Sequence, residues 1–180
     1  MALDLKLFYF FNHLAYHSGI FDQLIIFLAS YGEFVLGAVF ILLLYFSGYS
    51  RRDKIYIFGV AMVSAAIARF GITELIRFWY HRPRPFIALP IQHLLTDNDW
   101  SFPSGHAARL FALSMAVYLC QKRWGFWFFL ASAAIVISRV IAGIHYPSDI
   151  LGGLIIGLLT AYLIFYGAEK KKVKPPPKKY

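Results

Sequence analysis

The sequence predicts an all-α, polytopic membrane bundle of about five transmembrane helices, preceded by an N-terminal interfacial or short inserted helix. Three observations carry this reading. Of 180 residues, 59% are hydrophobic and 19% aromatic, and the mean hydropathy of +0.60 lies beyond what a soluble domain of this size carries. Several apolar runs reach the roughly 20 residues needed to cross a hydrocarbon core. Basic residues, in turn, collect in the short segments between those runs and after the last one.

The elements follow in order. Residues 1–19 mix Asp4, Lys6, Asn12 and His13 with bulky aromatics, lack a basic leader and show no small-residue cleavage site, so they read as an interfacial amphipathic helix rather than a removed signal peptide. A membrane-embedded domain is expected over 20–167. Breakers divide it into spans at 22–46, 55–80, 104–121, 126–143 and 147–167. A basic, Pro-rich tail covers 168–180.

The segments "SGYSRRDK", "QKRWG" and "EKKKVKPPPKKY" fall on one side if the five spans alternate. The positive-inside rule makes that side cytoplasmic, as in a multi-pass plasma (inner) membrane protein with a cytoplasmic C-terminus. The loop from His81 to Pro103 and the turn around "GIHYPS" then share the extracytoplasmic face. The formal charge of +9 sits largely in the tail, where it sets topology or meets anionic lipid, and it gives no reason to expect nucleic acid. Cys120 has no partner for a disulfide and no companions at metal-ligand spacing, so neither metal nor cofactor is expected.

Three segments carry unusual polar groups: "RFWYHRPRPF" from Arg77, "SFPSGHAA" from Ser101 and "SRVIAGIHYPSD" from Ser138. Each alone has an ordinary explanation as a snorkelling arginine, a turn or a loop cap. All three, however, fall at the same outer ends of the spans. Arg77, Arg84 and Arg139 offer planar donor forks suited to phosphate oxygens. Ser104 stands where a helix N-cap belongs, which aims the free amides of Gly105 and His106 at an anion. His145 has Asp149 four residues on to orient its ring as a nucleophile, and His106 is placed to give a proton to a leaving oxygen.

These motifs resemble the type 2 phosphatidic acid phosphatase superfamily. Pro103, Ser104, Gly105 and His106 match its second motif, and Ser138, Arg139, His145 and Asp149 its third. The first motif, Lys-x6-Arg-Pro, fits on Arg84 and Pro85 with Arg77 in the lysine position; alignment on Arg82 would put Leu75 there. The resemblance implies a metal-independent lipid phosphatase in which His145 becomes phosphorylated, His106 protonates the leaving group, Asp149 holds His145, and Arg77, Arg84, Ser104, Gly105 and Arg139 bind the phosphoryl oxygens. The early "FFNHLAYHSGIFDQLIIFLASYG" is most similar to the bacitracin-resistance branch, which implies dephosphorylation of undecaprenyl diphosphate to undecaprenyl phosphate. Phosphatidylglycerophosphate, lipid A and phosphatidic acid phosphatases share the motifs and remain alternatives. A lipid phosphotransferase and a non-catalytic lipid-phosphate binder are rivals of other classes.

Four charges lie within the apolar spans. Counting depth from the outer helix ends pairs Glu33 with Arg69 and puts Glu74 and Arg109 just beneath the site, with Glu74 one turn from Arg77. Gly153 and Gly157, four apart, predict close helix packing, with a homodimer as a further use of that face.

Overall fold

The computed structural model describes residues 2–168, and among them every regular element is helical. Helix α1 (Ala2–Asn12) is followed by α2 (Gly19–Phe46) and by a continuous rod built of α3 (Arg51–Ala66), a π-helical stretch (Ile67–Thr73) and α4 (Glu74–Trp79). A single turn, α5 (Pro85–Ala88), interrupts the long connection to α6 (Gly105–Cys120), α7 (Lys122–Ile141) and α8 (Pro147–Ala168). Of the tail expected over 168–180, Ala168 ends α8 and the rest lies outside the described residues.

Local chemistry sets these boundaries. Ser18 and Ser50 begin α2 and α3 by accepting a hydrogen bond from the amides of Phe21 and Asp53, the N-cap geometry that satisfies a first-turn donor. Pro85 opens α5, where its missing N–H costs nothing. Helix α7 ends through Gly143 at φ +83°, a conformation that suits glycine and turns the chain back within four residues.

Four rods, Gly19–Phe46, Arg51–Trp79, Lys122–Ile141 and Pro147–Ala168, are long and apolar enough to cross a membrane. The predicted fifth span is α6, and it is shorter, with 16 residues. At about 1.5 Å per residue it runs roughly 24 Å, less than the roughly 30 Å of a hydrocarbon core. It is also the central helix. Ala107, Ala108, Leu110, Phe111, Ala112, Ala116 and Val117 bury it on all sides, as a helix apolar all round must be.

In lipid, apolar burial gives little net drive, so close contact and dispersion must hold such helices together. The Gly153–Gly157 face supplies that contact inside the chain. A Cβ on Gly153 would come within 2.5 Å of the Ser104 carbonyl, and one on Gly157 within 2.5 Å of the Ala108 carbonyl. The face is thus filled by α6.

The α2–α3 and α6–α7 turns lie together at one end, where Tyr49 meets Trp124 edge-on with ring centroids 6.3 Å apart. The opposite end is closed by α1, the 80–104 connection and the α7–α8 turn. Helix α1 docks there through Phe8, which is fully buried against Val140 and Tyr146, and through Asn12, whose amide donates to Ile141 O at 3.1 Å.

The expected Glu33–Arg69 pair is not formed. Glu33 pairs with Arg109 and His106, while Arg69 pairs with Glu74 and Asp99. Two physical reasons account for this. The helices do not start at one level, because α6 begins below the surface, so residues counted equally from their starts lie at unequal depths. Residues five apart also share a face in a π-helix but not in an α-helix, which brings Glu74 back onto Arg69. Thr73 Oγ1, donating to Ala68 O at 2.8 Å, marks the same widened turn.

Candidate active site

The α7–α8 turn places His145 under complete cover. Its Nδ1 is 3.4 Å from Asp149 Oδ2 and its Nε2 is 3.1 Å from an Arg84 Nη1. A guanidinium only donates, so Nε2 carries the lone pair and Nδ1 the proton. Burial pushes the imidazole down to about 3; the Asp149 bond opposes this, and the charges of Arg139 and Arg84 add to it. The ring is therefore neutral, with its nucleophilic nitrogen turned toward the arginines.

Asp149 is held on every side. Its Oδ2 accepts from Ser101 Oγ at 2.5 Å and from the Tyr146 amide at 2.8 Å, and its Oδ1 accepts from Arg82 Nη1 at 2.7 Å. Four residues separate it from His145, one helical turn across the start of α8, so the spacing in the sequence becomes a contact.

Three buried arginines converge beside His145. Arg84 donates to the carbonyls of Ile144 at 2.9 Å and Asp99 at 2.6 Å, Arg139 donates to Ala29 O at 2.7 Å, and Arg77 to Pro103 O at 3.1 Å. These carbonyls fix the forks, and another terminal nitrogen of each faces a carboxylate. Asp97 answers them: its Oδ2 lies 2.9 Å from Arg84 Nη2 and 3.2 Å from Arg139 Nη2. Asp99 Oδ2 lies 3.1 Å from Arg77 Nη1. Burial would raise the Asp97 carboxyl, yet Arg84 and Arg139 outweigh it and hold it below the usual carboxylate range. An anionic oxygen bridging two guanidinium groups is the geometry a phosphoryl oxygen requires.

Ser104 caps α6, accepting from the Ala107 amide at 3.4 Å, while its own amide donates to Asp149 O at 3.0 Å. This ties the second motif to the third. Gly105 follows with the Arg69 guanidinium laid against it; a Cβ there would stand 2.5 Å from Arg69 Nε. One residue on, His106 places Nε2 3.4 Å from Glu33 Oε1.

All eight residues singled out from the sequence thus lie at one end of the bundle: hydrogen bonds and ion pairs join Arg84, Arg139, His145, Asp149 and Ser104 to one another directly or through Asp97, whereas His106 pairs with Glu33. Sequence reasoning missed Arg82, Asp4, Asp97, Asp99 and Ser101, and it gave Glu33 the wrong partner. The acidic "TDND" between the first and second motifs was a readable signal, since a buried arginine cluster needs counter-charge. Among the described residues, no three His, Cys, Asp or Glu side chains are grouped to hold a metal ion.

Membrane-length helices around a buried arginine–histidine–aspartate cluster are the setting of a membrane-embedded phosphoric-ester hydrolase. Residues 54–172 match the PAP2 superfamily, and the chain belongs to that superfamily. It is similar to undecaprenyl-diphosphatase BcrC of Bacillus subtilis, at 24% identity over 91% of this chain and 83% of that protein. An undecaprenyl-diphosphatase of Sulfolobus acidocaldarius is 30% identical over 79% of this chain and 68% of that protein. Among solved structures, the crystal structure of Aquifex aeolicus LpxE superimposes with a TM-score of 0.71 at 25% identity, covering 92% of this chain and 96% of that one. The chain is accordingly an integral membrane lipid phosphatase.

Proposed function

We propose that the chain converts undecaprenyl diphosphate to undecaprenyl phosphate through a phosphohistidine on His145. The observation that carries the mechanism is the locked tautomer: Nδ1–H toward Asp149 and a bare Nε2 toward Arg84. The relatives named undecaprenyl-diphosphatase support the substrate.

The terminal phosphate takes the position of the Asp97 carboxylate, its oxygens held by Arg77, Arg84, Arg139 and the amides that follow Ser104 at Gly105 and His106. His145 Nε2 attacks phosphorus, and the bond to the bridging oxygen breaks. His106 gives its proton to that oxygen, releasing the lipid monophosphate. Water then gives a proton back to His106 as its oxygen bonds to phosphorus, the P–N bond breaks, and inorganic phosphate leaves with His145 neutral again. The arginines stabilise the charge that develops on the equatorial oxygens. Asp149 stabilises the imidazolium that forms in the attack.

The proposal puts the site end on the extracytoplasmic face; Arg51, Arg52, Lys54, Lys122 and Arg123 at the opposite end support this. The same reading divides the chain into an interfacial segment over 1–19, the phosphatase domain over 20–167 and a cytoplasmic tail.

The test is phosphate release by purified protein in detergent with excess EDTA, comparing undecaprenyl diphosphate with phosphatidylglycerophosphate, lipid A and phosphatidic acid. Release from the diphosphate, with an acid-labile phosphohistidine trapped by rapid quench and absent in His145→Ala, is the expected result. Preference for another lipid overturns the substrate and keeps the mechanism. Turnover retained in His145→Ala overturns the mechanism.

A further inference from the structure

Arg82 lies outside the phosphate clamp, yet it is tied at four points. Nη1 donates to Asp149 Oδ1 and to Ser148 Oγ, both at 2.7 Å; Nη2 donates to Asp4 Oδ2 at 2.8 Å; and the guanidinium stacks 3.9 Å above the Tyr146 ring. Asp4 is fixed in turn from the first turn of α8. Its Oδ1 accepts from the Ser148 amide at 2.9 Å and its Oδ2 from Ser148 Oγ at 2.6 Å. A side chain from α1 therefore caps α8, the helix whose opening turn carries Asp149, and does so across 144 residues of sequence.

We infer that Arg82 and Asp4 are positioning residues for the His145–Asp149 pair, which makes helix α1 a working part of the site as well as an interfacial segment. The inference rests on the phosphohistidine reading. Its geometry is specific. Asp149 Oδ2 is shared by Ser101, Tyr146 and His145, so the carboxylate can present that oxygen to the imidazole only if Oδ1 is held elsewhere. Arg82 holds it. A planar fork suits this task, since one guanidinium satisfies two carboxylates at fixed angles where an ammonium cannot. Asp4 then fixes the guanidinium, and Ser148 joins all three.

The charged and titratable groups facing the pair are Arg84, Arg139 and Asp97 on the His145 side and Arg82, Asp4 and Tyr146 on the Asp149 side. Removing Arg82 leaves the Asp149 charge unshielded toward His145, which favours the protonated imidazole. Removing the Asp4 charge leaves the clamp intact and loosens only the orientation of the pair, where a displacement on the order of 1 Å can cost about 100-fold in rate.

The experiment uses the full chain in detergent with undecaprenyl diphosphate, reading kcat, KM, the pH profile and the quenched phosphohistidine. In Arg82→Gln the acid limb of kcat/KM should rise by about one pH unit. Arg82→Lys should restore the limb without restoring kcat. Asp4→Asn, nearly isosteric and so expected to fold, should lower kcat about tenfold with KM within about twofold. Asp4→Asn should add nothing in the Arg82→Gln background, because the two act as one unit. Wild-type kinetics in Asp4→Asn, or additive losses with an unmoved acid limb, overturn the inference and leave α1 a packing element. A wild-type protein that turns over without a trapped phosphohistidine, yet keeps the Asp4–Arg82 coupling, overturns the underlying mechanism and leaves the positioning role standing.

Discussion

The nucleophile proposed for His145 must be a neutral imidazole, and the ring is kept so by the cover that surrounds it. The same burial has a thermodynamic consequence. An exposed histidine binds its proton near 6.5, whereas the folded ring is pushed down to about 3. The unfolded chain therefore takes up this proton first on acidification, and stability is lost as pH falls from about 6.5 toward 3. Thermal unfolding in detergent should show a flatter dependence over that window in His145→Gln than in the wild type. Arg77 makes a second residue-scale prediction. It occupies the position where the superfamily motif has lysine, and it spans Asp99 and the Pro103 carbonyl with one fork. Arg77→Lys keeps the charge and gives up one of the two bonds, so initial rates should fall by no more than about tenfold. Complete loss would mean that the first motif is misaligned.

At the scale of elements, the membrane rods were legible from apolar run length, and the order of the three motifs placed the site at their shared end. The details that escaped were those in which a helix departs from uniform geometry. Glu74 could not be placed on Arg69 without the π-helical stretch, and Glu33 could not be placed on Arg109 without the short, recessed α6. Asp97 and Ser101 sit in irregular backbone, for which side-chain periodicity gives no rule. The Gly153–Gly157 spacing, by contrast, announced a close approach, and α6 makes it. A leucine at position 157 would meet backbone atoms of α6 within 2.5–2.7 Å. Gly157→Leu should separate α6 from α8 and cost about 1–3 kcal/mol or more, seen as a lowered unfolding temperature together with lost activity, since Ser104 is bonded to α8 through Asp149 O.

At the scale of the whole molecule, charge divides between the ends. One end carries Arg51, Arg52, Lys54, Lys122 and Arg123 at the starts of α3 and α7; the other sets its arginines against Asp97, Asp99 and Asp149. The positive-inside rule counts Lys and Arg near the span ends, and the connections at the first end carry more of them than the 80–104 connection, which has Arg82 and Arg84. A cysteine placed at exposed His81, in a Cys120→Ser background, should react with an impermeant maleimide in intact cells, whereas one at Arg52 should react only after lysis. The reverse pattern would invert the proposed orientation.

The carboxylate that bridges Arg84 and Arg139 changes what substrate binding means. On the proposed reading, a phosphate reaching this clamp does not fill empty space; it evicts a tethered competitor from the same loop. The observed affinity is the difference between two anions, and an intramolecular rival acts at an effective concentration of about millimolar or above. The eviction also runs backwards. In the proposed cycle, once the phosphohistidine has been hydrolysed, the returning Asp97 helps drive inorganic phosphate out, so turnover and product release share one moving part. Asp97→Asn should then bind phosphate more tightly, with a lower inhibition constant for the product and a slower kcat, leaving an enzyme slowed by its own product.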